Sequence, residues 1–188
     1  MKEKTIIGID NGLSGGLCAI NSKNEILGIA KMPCKPYGYK NEIDPVKVLE
    51  WVQQFPNPVV AIEEPLHFAP TLASMRSMAL SFGKVVGSCN VIQVPCIRVQ
   101  VKDWQDEILG KGLRKGLTKI VALRIATARW PKQKWSIGSA KVPHDGIIDA
   151  ALIAIYANEN SISEPVKPKR RAQIARTKKV ASTNRRSK

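Results

Sequence analysis

The chain has 188 residues, of which 44% are hydrophobic, and a formal net charge of +15. This length suits one domain with a hydrophobic core plus a tail, and no apolar run approaches the about 20 residues that cross a bilayer. The four cysteines form no C-x-x-C pair and have no histidine at zinc-finger spacing, so we expect reduced thiols and no structural zinc. Because no signal peptide opens the sequence, we expect a soluble protein of a bacterial or phage-infected cytoplasm, with nucleus or organelle as alternatives.

The positive charge is concentrated at the C-terminus. Residues 161–188 contain ten Lys or Arg against one Glu, so +9 of the +15 lies there. This segment has few large apolar residues, which is typical of disordered chain. We therefore expect a folded domain over residues 1–160 and a disordered basic tail over 161–188. Its expected partner is nucleic acid rather than a membrane, because no amphipathic helix carries these charges, with a localisation signal as the alternative.

The first half of the domain predicts strands followed by a crossover. Residues 5–10, 16–20 and 26–32 are short strand patterns joined by hairpin-like turns, so they should pair antiparallel. Asp44 followed by proline predicts a helix start, and that helix should end near Phe55. Residues 59–63 form a continuous apolar run, which predicts a fourth strand buried on both faces.

The second half predicts helices around one more strand. Residues 71–89 carry apolar side chains at helical spacing, and Gly83 and Gly87 within this helix suggest close approach of the sheet or of a second copy of the helix. A fifth strand is predicted over 92–99 with Pro95 at an edge or a bulge. A basic helix over 117–129 and an apolar helix over 143–156 complete the domain.

Acidic residues occur at particular ends of these elements. Asp10 ends the first strand, Glu63 ends the fourth, and Asp145 and Asp149 begin the last helix. Ligands bind at the carboxyl ends of strands in open sheets, so the four carboxylates can converge. Asp145 and Asp149 share a helix face and repel unless water at the helix N-terminus or a cation relieves them. Taken singly, such residues are more often turn formers or helix caps.

The segments GIDNGLSGG, AIEEP, QVK and HDGIIDAALIAI follow one another in this order. On these motifs, residues 5–157 resemble the RuvC family of Holliday junction resolvases within the ribonuclease H-like superfamily. The closing acids are four residues apart, as in phage and organellar relatives, rather than three. The resemblance implies an α/β fold with a mixed five-stranded sheet, three antiparallel strands plus two parallel ones, flanked by helices.

The resemblance also implies an activity. It predicts a structure-selective DNA endonuclease that resolves four-way junctions by paired metal-dependent nicks in opposite strands, leaving 5′-phosphate and 3′-hydroxyl ends. It further implies a homodimer paired through the helix over residues 71–89, and no small-molecule cofactor. The alternatives are a RuvC-like nuclease that acts on other branched DNA or on RNA, and a non-catalytic module that binds branched DNA.

The same resemblance assigns roles to residues. Asp10, Glu63, Asp145 and Asp149 would hold two Mg²⁺ ions, for which Mn²⁺ can substitute, with His144 as the alternative to Asp145. Lys102 would stand beside the scissile phosphate, unless it is an ordinary surface lysine. Phe68 would be an aromatic wedge at the junction, unless it packs against the core. The expected DNA-binding surface combines a basic tract containing Trp130 and Trp135 with the residues Phe68, Lys111, Arg114, Lys115, Lys119, Lys141 and His144.

Overall fold

The computed structural model describes residues 3–65, 71–114 and 116–160. Within these ranges, strands and helices alternate after an initial run of strands. The strands are β1 Thr5–Asp10, β2 Gly16–Ile20, β3 Ile26–Lys31, β4 Cys34–Tyr37, β5 Lys40–Ile43, β6 Pro58–Glu63 and β7 Cys96–Val99. The helices are α1 Pro45–Val52, α2 Leu72–Val91, α3 Val101–Ile108, α4 Thr118–Arg129 and α5 Asp145–Glu159.

A five-stranded mixed sheet forms the centre of the protein, in the order β3-β2-β1-β6-β7. Strands β1, β2 and β3 pair antiparallel, whereas β6 pairs parallel to β1 and β7 pairs parallel to β6. This arrangement confirms the predicted fold class. Because β1 and β6 are adjacent and parallel, their carboxyl ends lie side by side at one edge of the sheet.

Two elements were not predicted from the sequence. The hairpin of β4 and β5 is mostly exposed and contains Pro36 and the positive-φ Gly38, so it has no alternating apolar pattern. Helix α3 begins directly after β7 without a side-chain cap, so no start signal marks it. The fifth strand is also shorter than predicted, because α2 continues to Val91 and β7 begins only after Pro95.

The sheet separates two hydrophobic cores. Ile7 and Ile9 of β1 face a core that includes residues of α1 and α2. Ile6 faces the opposite core, which includes most of α5. Helix α5 is buried on nearly all sides and contacts the sheet, α3 and α4, as expected for a helix that is apolar all round. Within the described residues, no helix combines the length and apolar character that spanning a membrane requires.

Helix α5 lies unusually close to β1 because glycines stand at the contact. A Cβ at Gly8 would overlap the carbonyl oxygen of Ala150, and a Cβ at Gly146 would lie 2.5 Å from Gly15 Cα. Gly15 and Gly146 also form an isolated β-bridge. The first turns of α5 are thus fixed against β1 and the loop that follows it.

Gly83 and Gly87 of α2, where the sequence predicted close approach of the sheet or of a second copy of the helix, make no such close contact with other described residues. A Cβ at either position would meet no atom within 4 Å in the described part of the chain. The alternative in which these glycines pack on the sheet is therefore wrong. Packing on a second copy of the helix stays a prediction.

We expect Gly8→Ala to lower the free energy of unfolding by about 1–3 kcal/mol, the usual cost of forcing extra volume into a packed core. The measurement is urea denaturation followed by circular dichroism. Gly12→Ala is the matched control, because a Cβ there would lie 3.6 Å from Asp10 Oδ1, an ordinary contact. Equal losses in the two variants would contradict a special role for the Gly8 contact.

Candidate metal and nucleic-acid site

Three acidic residues lie near one another where β1 and β6 end beneath the start of α5. Ile9 pairs in register with Ile62, so Asp10 and Glu63 end neighbouring parallel strands. Asp10 is two residues beyond Gly8 and therefore faces the same side of the sheet, which α5 covers. Asp149 immediately precedes Ala150, the residue that lies over Gly8. The carboxylates of three distant segments are in this way brought to one edge.

Burial dominates the electrostatics of these acids. Burial, reinforced by the negative charge of Asp10, raises the pKa of Glu63 to about 8 and that of Asp149 to about 7. Burial also raises the pKa of Asp10. The hydrogen bond from the Gly12 N–H and the charge of His144 lower this pKa and offset part of the increase. The three groups thus oppose one another's ionisation, and a cation placed among them would relieve that repulsion.

Two residues that sequence reasoning missed hold this edge together. Trp104 of α3 donates from Nε1 to Glu63 Oε2 at 2.8 Å. Asn11 donates from Nδ2 to the backbone carbonyl of Glu63 at 2.6 Å, which ties the loop after β1 to the end of β6. Asn11 stands inside the first motif, whereas Trp104 lies in a helix that the sequence did not signal.

Asp145 has a different environment from the three buried acids. Its Oδ2 lies 2.5 Å from Lys119 Nζ, with side chains that are 48% and 74% exposed respectively. The hydrogen bond with Asp145 is the main cause of a raised pKa at Lys119. Lys119 therefore neutralises Asp145, so that a cation relieves the repulsion between Asp145 and Asp149, as one of the two sequence-based alternatives expected. The sequence had predicted that Lys119 binds DNA, whereas in the structure its ammonium group contacts Asp145.

His144 lies next to the acids as the N-terminal cap residue of α5. Its backbone N–H donates to the carbonyl of Trp135 at 2.8 Å. Its Nδ1 is buried and has no hydrogen-bond partner among the described residues. The role of His144 as an alternative ligand stays a prediction.

Lys102 and Glu64 flank the acidic edge. Lys102 is exposed in the first turn of α3, three residues after Val99, the register partner of Glu63. The carboxylate of Glu64 accepts a hydrogen bond from Gln100, whereas that of Glu63 accepts from Trp104. Because their partners differ, Glu64 is a suitable control for substitutions at Glu63.

The expected DNA-binding residues are partly visible. Lys111, Arg114, Lys119 and Lys141 are exposed, whereas Lys115 and Phe68 lie outside the described residues. Trp130 and Trp135 do not belong to the exposed basic tract. Their rings pack edge to face at 5.6 Å, Trp135 is buried, and Trp130 donates from Nε1 to the Asn24 carbonyl. Both tryptophans therefore pack against the core.

The residues present fit a hard divalent cation in their chemistry. Asp10, Glu63 and Asp149 offer carboxylate oxygens, which Mg²⁺ and Mn²⁺ prefer, and none of the three takes part in an ion pair within the described ranges. Across residues 3–65, 71–114 and 116–160, however, no three His, Cys, Asp or Glu side chains surround one point as a ready-made metal site. The three acids are neighbours at one edge of the sheet without forming a complete metal site among the described residues.

The raised pKa values predict a stability that falls as pH rises. Between pH 4.5, the ordinary value for Glu63, and about 8, the folded state binds more protons than the unfolded state, so alkaline pH favours unfolding. We expect Glu63→Gln to raise the free energy of unfolding at pH 8.5 in EDTA by at least about 1 kcal/mol, since one pKa unit is worth about 1.4 kcal/mol.

The measurement is denaturant unfolding of wild type and variant at pH 5.5 and pH 8.5. The gain should shrink at pH 5.5, where the carboxyl of Glu63 is protonated in the folded protein. Glu64→Gln, at the adjacent acid, should leave the pH dependence as in wild type. An identical pH dependence in wild type and Glu63→Gln would contradict the charge repulsion.

Comparisons with known proteins show the fold. No protein-family model matches the chain, and no curated protein matches it. A solved structure of Thermus thermophilus RuvC in complex with Holliday junction substrate matches with a TM-score of 0.58 and 18% identity, covering 85% of this chain and 96% of that one. Another Thermus thermophilus RuvC structure matches with a TM-score of 0.53 and 16% identity, covering 86% and 99%. The chain thus has the ribonuclease H-like fold seen in RuvC.

Proposed function

We propose that this protein is a metal-dependent DNA endonuclease that resolves four-way junctions by nicking opposite strands. The observation that carries the proposal is the meeting of Asp10, Glu63 and Asp149 at the carboxyl edge of a RuvC-like sheet. Holding three partly buried carboxylates close together opposes folding, which is the usual signature of a functional site. The four-residue spacing of Asp145 and Asp149 supports the phage or organellar type of this nuclease.

Each acid has a proposed role in holding Mg²⁺ or Mn²⁺. Asp10 would contact both ions, since its charge acts on both Glu63 and Asp149, which would each hold a separate ion. Asp145 or His144 would complete the set. When bound, two such ions would activate a water for attack at phosphorus and stabilise the leaving 3′ oxygen, which leaves a 5′-phosphate and a 3′-hydroxyl. Trp104 and Asn11 keep Glu63 in place.

The proposed substrate is branched DNA. The structural neighbour is a RuvC in complex with Holliday junction substrate, and exposed basic residues accompany the acids in this chain. Lys102 is proposed to stabilise the charge that develops on the phosphate. Phe68 is proposed as the base-unstacking wedge, and the basic segment over 161–188 as a contact to the DNA arms. A cytoplasmic or nucleoid location is the default proposal, with the nucleus or an organelle as alternatives.

A homodimer would provide two sites for two nicks. The outward stripe of α2 contains Leu72 and Val91, which are 76% and 83% exposed. Small residues lie between them, and small residues let two helices approach closely. The stripe as a whole comprises Leu72, Arg76, Ala79, Leu80, Gly83, Gly87 and Val91. We propose that this stripe packs on its counterpart across a two-fold axis, as a symmetric junction requires.

Cleavage of a labelled synthetic four-way junction in Mg²⁺ tests the activity. We expect wild type to nick opposite strands near the branch, and Asp149→Asn to lower the rate at least about 100-fold, because it removes a charged ligand. Glu64→Gln is the matched control and should retain activity. Duplex, single-stranded DNA and forked substrates are compared in parallel. Junction binding without cleavage in Mg²⁺ or Mn²⁺ would show a binding module instead.

The dimer is tested by analytical ultracentrifugation at micromolar concentration with and without junction DNA. Ala79→Glu should shift the protein to monomers, because the two-fold axis brings the two new carboxylates together. Ser22→Glu adds the same charge to the exposed turn between β2 and β3 and should leave the dimer intact. A wild type that stays monomeric on the junction would exclude paired nicking by a homodimer.

A further inference from the structure

The ion pair between Lys119 and Asp145 joins the first turns of two helices. Lys119 is the second residue of α4, and Asp145 is the first residue of α5. Their charged atoms are 2.5 Å apart. Asp145 is thus the one candidate acid that already has a cationic partner, whereas Asp10, Glu63 and Asp149 have no ion pair within the described residues.

This pair places a lysine at the entrance to the acidic edge. The charge of Asp149 also acts on Lys119, so the ammonium group lies within electrostatic reach of the buried acids. While Asp145 Oδ2 holds the ammonium group at 2.5 Å, that oxygen is not available to a metal ion shared with the other acids. The N–H of Lys119 that bonds Asp145 is likewise not available to a phosphate.

We propose that Lys119 is the resting counter-ion of Asp145, and that Asp145 changes partner from Lys119 to the divalent cation when the site is loaded. The released Lys119 ammonium group then binds a phosphate of the DNA. Toward the metal ion Lys119 acts only through Asp145 and is a positioning residue, whereas toward the DNA it is a binding residue. This inference rests on the proposed metal-dependent nuclease function.

The exposure of the pair makes such an exchange feasible. Ion pairs in water contribute little to stability, so Asp145 can leave Lys119 at small cost. A divalent cation offers a stronger partner because its charge is double and its preferred ligands are carboxylate oxygens. The phosphate would in turn replace the negative charge that Lys119 loses. Binding of metal and binding of DNA are then coupled through one side chain.

Titration of the DNA-free protein with Mn²⁺, followed by calorimetry, tests the first half. We expect Lys119→Gln to tighten Mn²⁺ binding up to about fivefold, the upper range for an exposed ion pair. Lys119→Arg keeps the charge and should bind Mn²⁺ as wild type does. Lys23→Gln removes the same charge from the exposed turn between β2 and β3 and should change nothing.

A second substitution separates the pair from general charge effects. In an Asp145→Asn background, Lys119→Gln should no longer tighten Mn²⁺ binding, because the competing carboxylate is gone. Tightening of the same size in that background would overturn the exchange, since it would reflect only the loss of a nearby positive charge. Unchanged or weaker Mn²⁺ binding by Lys119→Gln alone would overturn it as well.

Junction binding measured in EDTA and in Ca²⁺ tests the second half. Lys119→Gln should weaken binding severalfold in Ca²⁺ and leave it unchanged in EDTA, where Asp145 still occupies the lysine. If Lys119→Gln weakened junction binding equally in EDTA and in Ca²⁺, the proposed release of Lys119 would be wrong. If wild type binds Mn²⁺ and nicks junctions while these differences are missing, only the exchange fails. If wild type neither binds Mn²⁺ nor nicks junctions, the proposed function fails with it.

Discussion

The close contact between α5 and β1 is the constraint on which the rest of the structure depends. The helix reaches the strand backbone only because Gly8, Gly16 and Gly146 lack side chains at the contact. This contact sets the height of α5 above the sheet and therefore the position of Asp149 relative to Asp10. With a larger residue at Gly8, the helix would move outward and carry Asp149 away from the two strand ends. The contact that packs α5 on β1 therefore also fixes the position of Asp149 relative to Asp10.

The acidic edge acts against the stability that this packing provides. Burial raises the pKa values of Asp10, Glu63 and Asp149, and repulsion by neighbouring acids adds to it at Glu63 and Asp149, so ionising them at neutral pH costs folding free energy. A fold selected for stability alone would place apolar or amide side chains at these ends. Hydrogen bonds from Trp104 and Asn11 to Glu63 hold the edge in place despite this repulsion. The protein thus maintains a negative site that a divalent cation would stabilise.

Much of the fold could be predicted from local patterns, because those patterns reflect local physics. The helix start at Asp44 is an example, since its side chain accepts from the backbone N–H groups of Val46 and Lys47. Strands β1, β2 and β6 are buried on both faces and appear in the sequence as apolar runs. The β4–β5 hairpin escaped prediction because it is exposed and has no apolar alternation.

The candidate site was predictable only in part, because contacts between residues far apart in the sequence leave no local pattern. The acids stand at recognisable strand and helix ends, but their partners come from elsewhere in the chain. Trp104 reaches Glu63 across 41 residues, and Lys119 reaches Asp145 across 26. Trp130 and Trp135 were misassigned to a DNA surface because basic neighbours surround them in sequence. Their burial depends on long-range packing, such as the bond from Trp130 to Asn24.

The spacing of the two acids in α5 determines which partners they can reach. Each residue turns an α-helix by about 100°, so two acids four residues apart lie only about 40° apart around the axis. At position 145 the carboxylate meets Lys119 of α4 at 2.5 Å, while Asp149 remains buried beside Asp10. Asp145 and Asp149 thus share one face of α5, and their surroundings differ because Asp145 stands one turn closer to the exposed start of the helix, beside α4. This difference lets the chain keep two neighbouring aspartates at a helix start without burying both charges together.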